Sequence, residues 1–108
     1  MNWLKILNLS EGEKRTARLL VDGVIGGYDW LDDTSMTAHK FIETVDALGE
    51  LDNIDIDVNS PGGVFTDGIA MTNYLIDHPA SVSMNIIGEA SSIASVFVQA
   101  ADPGKLHM

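Results

Sequence analysis

The most regular pattern in the chain is an alternation of aliphatic and acidic side chains over residues 53–58. Such alternation predicts a strand that buries one face, formed by Ile54, Ile56 and Val58, and leaves two aspartates on the other face, toward solvent. A dense group of turn-forming residues, 59–63, follows immediately. The pattern therefore predicts a half-buried strand that ends in a tight loop.

Similar patterns predict the other elements of the chain. Further strands are predicted at Trp3–Leu9, Arg18–Ile25, Ser81–Ile87 and, as a short start, Lys105–Met108. Helices are predicted after the competent N-caps Asp33, Thr34 and Ser35 as far as Gly49, at Val64–Asp77, and at Ala90–Ala101. Residues 10–16 are expected to form a turn, and Gly88 another.

The order of these elements favours an α/β fold with a mostly parallel sheet, because strands that alternate with helices are joined by right-handed crossovers. Ligands of such sheets bind beyond the carboxyl ends of the strands. Two loops, 59–63 and 88–92, leave predicted strands at that edge. If the two strands are neighbours, the loops face each other and form a candidate site.

Composition narrows the classes of function. The chain has 108 residues, 45% of them apolar, which predicts a single domain, residues 1–108. There is no cysteine, which excludes thiol catalysis and thiolate metal sites. A net charge of −10 argues against nucleic acid as a partner, and no long apolar run or leader suggests a membrane. We expect a cytoplasmic protein without a metal or other cofactor.

The second loop, Gly88-Glu89-Ala90-Ser91-Ser92-Ile93-Ala94-Ser95, has the small residues and hydroxyls that an exposed nucleophilic serine requires. Amide groups at the start of the following helix could stabilise a developing negative charge. The alternative is that Ser91 or Ser92 only caps this helix. In the first loop, Gly62 and Gly63 allow close approach of the backbone to a ligand, or they form only a structural turn.

The two loops together carry a resemblance. Asn59-Ser60-Pro61-Gly62-Gly63, followed by the second loop with 29 positions from Gly63 to Ser92, resembles the ClpP-type serine peptidases, and most of all their phage and prophage head maturation branch. The resemblance runs from the predicted strand around Leu19 to Gly104-Lys105. It implies the ClpP/crotonase-like fold and the hydrolysis of peptide bonds.

Carried over by position, the resemblance makes Ser92 the nucleophile and the backbone N–H groups of Gly63 and Ile93 the oxyanion hole, with Gly62 as the substitute for Gly63. Gly62, Val64 and Phe65 would lie along an extended peptide substrate. No metal or cofactor is implied. The family assembles into rings, so a homo-oligomer is expected, with a phage capsid protein or an ATPase as further partners.

One part of the family's machinery has no counterpart in the sequence. A serine needs a base, and the family places its histidine some two dozen residues after the serine, with an aspartate much later. The histidines present, His39, His78 and His107, do not occupy such a position. We therefore expect a partial peptidase domain that lacks its C-terminal part and is inactive alone, whether as a truncated or degenerate gene product or as a subunit completed by another chain.

Two other functions remain open from the sequence. The first is a non-catalytic remnant or assembly subunit of the same fold. The second is the thioester chemistry of the crotonase superfamily, which also uses paired loop amides as an oxyanion hole. Ser92 among small residues favours the peptidase, and no basic residue near the loops suggests the phosphates of coenzyme A.

Overall fold

The computed structural model describes residues 4–10, 14–26 and 37–108, which form one five-stranded sheet and the helices that pack on it. The strands are β1 Leu4–Ser10, β2 Thr16–Asp22, β3 Asn53–Ser60, β4 Ser81–Ala90 and β5 Leu106–His107. The helices are α1 Ala38–Ala47, α2 Phe65–Asp77 and α3 Ile93–Phe97, and a 3₁₀ turn at Val98–Ala100 follows α3.

The strands lie in the order β1-β2-β3-β4-β5. β1 and β2 form an antiparallel pair, and the pairs β2–β3, β3–β4 and β4–β5 are parallel. The predicted α/β class and mostly parallel sheet are thus confirmed. Because β3 and β4 are neighbours, the two loops singled out by sequence leave the same edge of the sheet side by side.

The core lies between the sheet and the helices. The alternate residues of the central strands that face the helices are fully buried, among them Leu19, Ile56 and Met84. Phe41 of α1 and Phe97 of α3 meet edge to face with ring centroids 5.9 Å apart, which ties the first helix to the last. No helix within the described ranges is long and apolar enough to cross a membrane.

Two predicted boundaries near the loops were wrong. β4 does not stop at Ile87 but continues through Gly88 to Ala90, and the helix predicted from Ala90 begins only at Ile93. The cause is strand pairing, because Ala90 still pairs with Ser60 of β3. Sequence propensity could not anticipate this long-range contact.

The end of β2 was also placed too late. The strand ends at Asp22, because Gly23 has a φ of 104° that only glycine adopts readily. Ile25 then forms an isolated parallel bridge with Gly63. The prediction of one continuous strand to Ile25 therefore missed a break that sends the chain alongside the first loop.

Helix α1 ends as predicted, with Gly49 just past the helix at a φ of 78°. Its N-cap is Thr37, whose hydroxyl accepts a hydrogen bond from the Lys40 N–H. The predicted caps Asp33, Thr34 and Ser35 lie outside the described residues, as do Trp3 and the middle of the predicted 10–16 turn.

Asp57 corrects the expectation that both aspartates of β3 face solvent. Only 6% of Asp57 is exposed, and its carboxylate accepts hydrogen bonds from Arg18 at 2.8 Å and from the Asn85 amide at 3.2 Å. The buried charge is thereby paired and hydrogen-bonded. Asp57 holds three strands together and lies outside the candidate site.

Because of Tyr74 in α2, we expect the free energy of unfolding to depend on pH in the alkaline range. Burial, helped by a hydrogen bond to the Asp46 carboxylate of α1, raises the pKa of Tyr74 well above its ordinary value. The unfolded chain ionises this phenol near pH 10, whereas the folded chain holds it neutral. We therefore expect a stabilising contribution that is complete below about pH 10 and is lost as the pH rises further. Chemical denaturation between pH 8 and 11 should show a steeper alkaline loss in the wild type than in Tyr74→Phe.

Candidate active site

The two loops meet at the carboxyl edge of the sheet. Ser60, the last residue of β3, pairs with Ala90, the last residue of β4. The next amide, Ser91 N–H, donates to the Ser60 carbonyl at 3.0 Å. The predicted convergence of the loops is therefore present, and a backbone hydrogen bond fixes it.

Gly62 shows how closely the loops approach. A Cβ atom placed on Gly62 would lie 2.7 Å from the Ser92 Cβ and 3.3 Å from the Ile93 nitrogen. Real Cβ atoms essentially never come within 2.7 Å of another heavy atom, so only a residue without a side chain fits at this position. The first loop thus passes directly against the backbone and side chain of the serine turn.

Ser92 has the features of a presented nucleophile. Its φ of 55° is unusual because Ser92 is the one non-glycine residue with positive φ in the described part of the chain. Such strain, of order 1–3 kcal/mol, is concentrated at functional sites. The side chain is exposed, and although Ser92 occupies the N-cap position of α3, its hydroxyl makes no capping hydrogen bond.

The neighbouring hydroxyls are committed to other partners. The Ser91 hydroxyl donates to the Glu89 carboxylate at 2.8 Å, and the Ser95 hydroxyl donates to the Ser92 carbonyl at 2.6 Å. Of the three serines in this turn, Ser92 is the one whose hydroxyl has no hydrogen bond to any described residue. This observation distinguishes Ser92 from an ordinary helix cap.

The N–H groups of the two residues next to Gly63 in sequence both have acceptors, whereas the Gly63 N–H has none among the described residues. On one side the Gly62 N–H donates to the Ser60 hydroxyl at 3.1 Å, and on the other the Val64 N–H donates to the Ile25 carbonyl at 2.9 Å. Ile25 pairs with Gly63 through a parallel bridge, in which the Gly62 carbonyl and the Val64 N–H bond to Ile25 while the N–H of Gly63 itself does not. The Gly63 N–H therefore points away from Ile25, and it has no acceptor among the described residues.

The N–H group of Ile93 likewise has no acceptor within the described ranges. It follows the strained Ser92 and precedes the first N–H of α3 that finds an acceptor, Ala94 N–H to Ser91 carbonyl at 3.0 Å. The Ile93 side chain is buried against Gly68 of α2, where a Cβ would approach to 2.3 Å. That contact anchors Ile93, and its backbone nitrogen lies beside Gly62, 3.3 Å from where a Cβ of residue 62 would be.

Exposed apolar side chains border this site. Phe65, at the start of α2, is 65% exposed, and Val64 before it and Val24 beside the Ile25 bridge are also exposed. Large apolar residues on a surface often mark a contact surface. Gly62, Val64 and Phe65, which the resemblance places along the substrate, thus lie on one continuous segment at the site.

The three histidines are all in the described part of the chain, and none hydrogen-bonds to Ser92. His39 contacts the Glu43 carboxylate on the exposed side of α1. His78 accepts the Ala80 N–H at the opposite end of the sheet. His107 lies on β5 in register with Asn85, five positions before the end of β4. The arrangement therefore contains a hydroxyl and two amide donors but no imidazole partner.

A cavity of about 730 Å³ lies elsewhere, at the amino ends of the strands. Arg15, Asp52 and His78 are among its lining residues, and the Arg15 guanidinium donates to carbonyl groups that follow α1. Within the described ranges, no group of His, Asp and Glu side chains could hold a metal ion. The cavity therefore contributes no side chain to the turn that contains Ser92.

The sequence analysis missed Ser60. Its side chain is fully buried, its hydroxyl holds the first loop through Gly62, and its carbonyl holds the second through Ser91. A polar residue that directly follows a buried strand was the available signal. This arrangement also explains why Gly63, and not Gly62, has the free N–H.

Replacing Ser60 by alanine should be costly. The change leaves the buried Gly62 N–H without an acceptor, which costs about 1–3 kcal/mol of unfolding free energy. Urea denaturation followed by circular dichroism measures the loss. The control is Ser83→Ala, since Ser83 is half-buried on β4 and its hydroxyl has no hydrogen bond among the described residues. Equal losses in both variants would contradict a special role for Ser60.

Ser92 is exposed and lies against the Gly62-Gly63 loop, and the N–H groups of Gly63 and Ile93 have no acceptor among the described residues. A serine near two such donors, on a parallel sheet with crossover helices, matches part of the site of a serine-type hydrolase. A family model described as Clp protease matches residues 11–108. The chain therefore belongs to the Clp protease family. The match confirms the ClpP-type resemblance and, with the sheet, the ClpP-like fold.

Proposed function

We propose that the protein is a serine endopeptidase with Ser92 as its nucleophile. The observation that carries the proposal is that a strained, exposed Ser92 lies against the Gly62-Gly63 loop. Neither the Ser92 hydroxyl nor the Gly63 N–H has a hydrogen-bond partner in the described part of the chain. Membership of the Clp protease family supports the same chemistry.

In the proposed reaction, the Ser92 Oγ attacks the carbonyl carbon of a peptide bond while its proton passes to a base. The carbonyl oxygen becomes an oxyanion and accepts hydrogen bonds from the Gly63 and Ile93 N–H groups. Collapse expels the amine, which takes a proton from the base, and leaves an acyl-enzyme. Water then hydrolyses the acyl-enzyme by the same steps in reverse order.

The proposed substrate is an extended peptide. The edge of Gly62–Val64 that faces Ile25 is already paired, so a substrate strand would bind along the opposite edge, on which the Gly63 N–H lies. Val64 and Phe65 would contact its side chains through their exposed apolar surfaces. An apolar residue near the scissile bond fits this border.

The base is the group that the described residues do not provide. Because no histidine among them bonds to Ser92, the proposal requires a proton acceptor that the described residues do not supply. We expect the 108-residue chain alone to hydrolyse peptides too slowly to measure. General base catalysis commonly contributes about 10²- to 10⁴-fold, and this is the deficit expected.

We further propose that the protein works as a homo-oligomeric ring in phage head maturation, with a capsid protein as substrate or an ATPase as partner. The support is the resemblance of the two loop motifs to that branch. The second candidate is a non-catalytic assembly subunit of the same fold, and the observation that favours it is the missing imidazole beside Ser92.

Chemical rescue separates the two candidates. The 108-residue chain is treated with a fluorophosphonate probe at increasing concentrations of imidazole, and the modified residue is identified by peptide mass spectrometry. Attack forms an Oγ–P bond, breaks the P–F bond, releases fluoride and transfers the serine proton to imidazole. We expect imidazole-dependent modification of Ser92.

Two results would count against the peptidase. Modification spread over several surface serines would show that Ser92 has no special reactivity. Absence of modification at saturating imidazole, in a chain whose circular dichroism shows it to be folded, would favour the assembly subunit.

A further inference from the structure

The end of β4 has an irregular pairing with β3. Between the pairs Val58–Ile86 and Ser60–Ala90, β3 advances by two residues and β4 by four. Residues 87–89 therefore lie opposite a single residue, Asn59. A bulge of this kind bends the strand, and bulges are frequent beside active sites, where they redirect a side chain.

The Asn59 side chain takes the place of the missing backbone partner. Its Oδ1 accepts a hydrogen bond from the Glu89 N–H at 3.1 Å, in the middle of the bulge. Its Nδ2 donates to the Asp22 carboxylate at the end of β2, at 3.2 Å. One amide group thus links the ends of three adjacent strands, and its contact to Glu89 lies three positions before Ser92.

Gly88 makes room for this amide. A Cβ on Gly88 would lie 2.3 Å from the Asn59 Oδ1, so the position accepts only glycine while the amide is in place. The Asn59 backbone is fixed independently, because its carbonyl accepts the Gly23 N–H at 2.9 Å. Contacts with β2 and β3 therefore fix the Asn59 amide, and the amide in turn fixes the Glu89 N–H of β4.

We propose that Asn59 is a positioning residue for Ser92, acting through the bulge at residues 87–89. The inference rests on the proposed function, since it assigns what sets the geometry of that nucleophile. Without the amide, the Glu89 N–H would have to seek water or a backbone acceptor, and the serine turn would lose its fixed distance from the Gly63 loop. Small displacements of reacting groups are costly, with about 10²-fold for 1 Å.

The test compares Asn59→Ala with Asn53→Ala in the imidazole-dependent fluorophosphonate assay. Asn53 is a matched control, because it lies on the same strand, is also half-buried, and donates from its side chain across to Thr16 of β2 at 3.1 Å. Both variants lose one asparagine of β3. We expect Asn59→Ala to slow modification of Ser92 at least about tenfold and Asn53→Ala to leave it within about threefold.

A reciprocal exchange provides the rescue. Asn59→Asp alone removes the donor to Asp22 and places two carboxylates together, so it should be as slow as Asn59→Ala. Adding Asp22→Asn restores the bond between residues 59 and 22 with donor and acceptor exchanged, because the new amide can donate to the new carboxylate. The other oxygen of that carboxylate can accept the Glu89 N–H as the Asn59 Oδ1 does. We expect the double variant to recover to within about threefold of the wild-type rate, which general destabilisation would not produce.

The outcomes distinguish this inference from the proposed function. Modification of wild-type Ser92 at a rate that Asn59→Ala leaves unchanged overturns the positioning role and leaves the peptidase intact. Equal slowing in Asn59→Ala and Asn53→Ala, without recovery in the double variant, also overturns it. A wild-type chain that is not modified at Ser92 overturns the proposed function, and the positioning role with it.

Discussion

Replacing Ser92 by alanine should abolish imidazole-dependent modification by a fluorophosphonate, with a fall in rate of at least about 10³-fold. The physical reason is that the Ser92 hydroxyl, alone among the three serines of its turn, has no partner among the residues the structure describes, and Ser92 lies against the loop that carries the Gly63 N–H. Alanine accepts the same backbone strain, so the thermal midpoint should hardly change. The rate is measured from intact-protein mass spectra over time, alongside thermal unfolding.

The serines on either side serve as controls for Ser92→Ala. The hydroxyls of Ser91 and Ser95 are already donated to Glu89 and to the Ser92 carbonyl. We expect Ser91→Ala and Ser95→Ala to be modified within about threefold of the wild-type rate. If modification persisted in Ser92→Ala and disappeared in Ser91→Ala, the nucleophile would have been assigned to the wrong residue.

Gly62→Ala should have the second largest effect, because it forces the two loops apart. The new methyl group would lie 2.7 Å from the Ser92 Cβ and 2.9 Å from the Ser91 carbonyl oxygen, and neither is the end of a flexible side chain. We expect modification of Ser92 to slow by about 10²-fold or more, together with a lower thermal midpoint. Rate and midpoint are measured on the same preparation.

Gly23→Ala is the control that separates the steric contact with Ser92 from the backbone strain in Gly62→Ala. The two glycines have nearly equal φ values, 104° at Gly23 and 107° at Gly62, so alanine suffers similar backbone strain at both. At Gly23, however, a Cβ would meet nothing within 4 Å. Gly23→Ala should therefore lose stability while keeping most of its rate per folded molecule. Equal losses of rate in both variants would contradict the claim that contact with Ser92 matters.

Much of the fold could be predicted because it is encoded locally. Alternation in β3, the glycine after α1 and the proline after α2 are patterns within a few residues, and the structure agrees with each. The rule for parallel sheets placed both loops at one edge of the sheet, and the loops are adjacent because β3 and β4 are neighbours. The choice of Ser92, Gly62 and Gly63 within these loops came from the resemblance of the two motifs to the ClpP-type peptidases.

The rest depends on contacts between residues distant in sequence. The extension of β4 to Ala90 results from pairing with Ser60, and the break of β2 at Gly23 brings Ile25 to Gly63. No local pattern encodes either pairing. The burial of Asp57 was missed for the same reason, since Arg18 and Asn85, its partners, come from two other strands.

The roles of Ser60 and Asn59 could be predicted from the sequence only in part. Both belong to the loop motif that sequence analysis recognised, yet their functions depend on which N–H group each side chain meets. The Ser60 hydroxyl takes the Gly62 N–H and so leaves the Gly63 N–H free, whereas the Asn59 amide takes the Glu89 N–H. Only the register of β3 against β4 reveals this division.

We expect the Gly63 and Ile93 N–H groups to bind the oxyanion that forms on Ser92. Two-dimensional ¹H–¹⁵N spectra of the chain before and after phosphonylation test it directly. We predict marked downfield shifts of the Gly63 and Ile93 amide protons, with small changes at Gly62 and Val64, whose N–H groups already have acceptors. If the Gly63 and Ile93 amide protons do not shift in an adduct confirmed on Ser92, these two N–H groups do not form the oxyanion site.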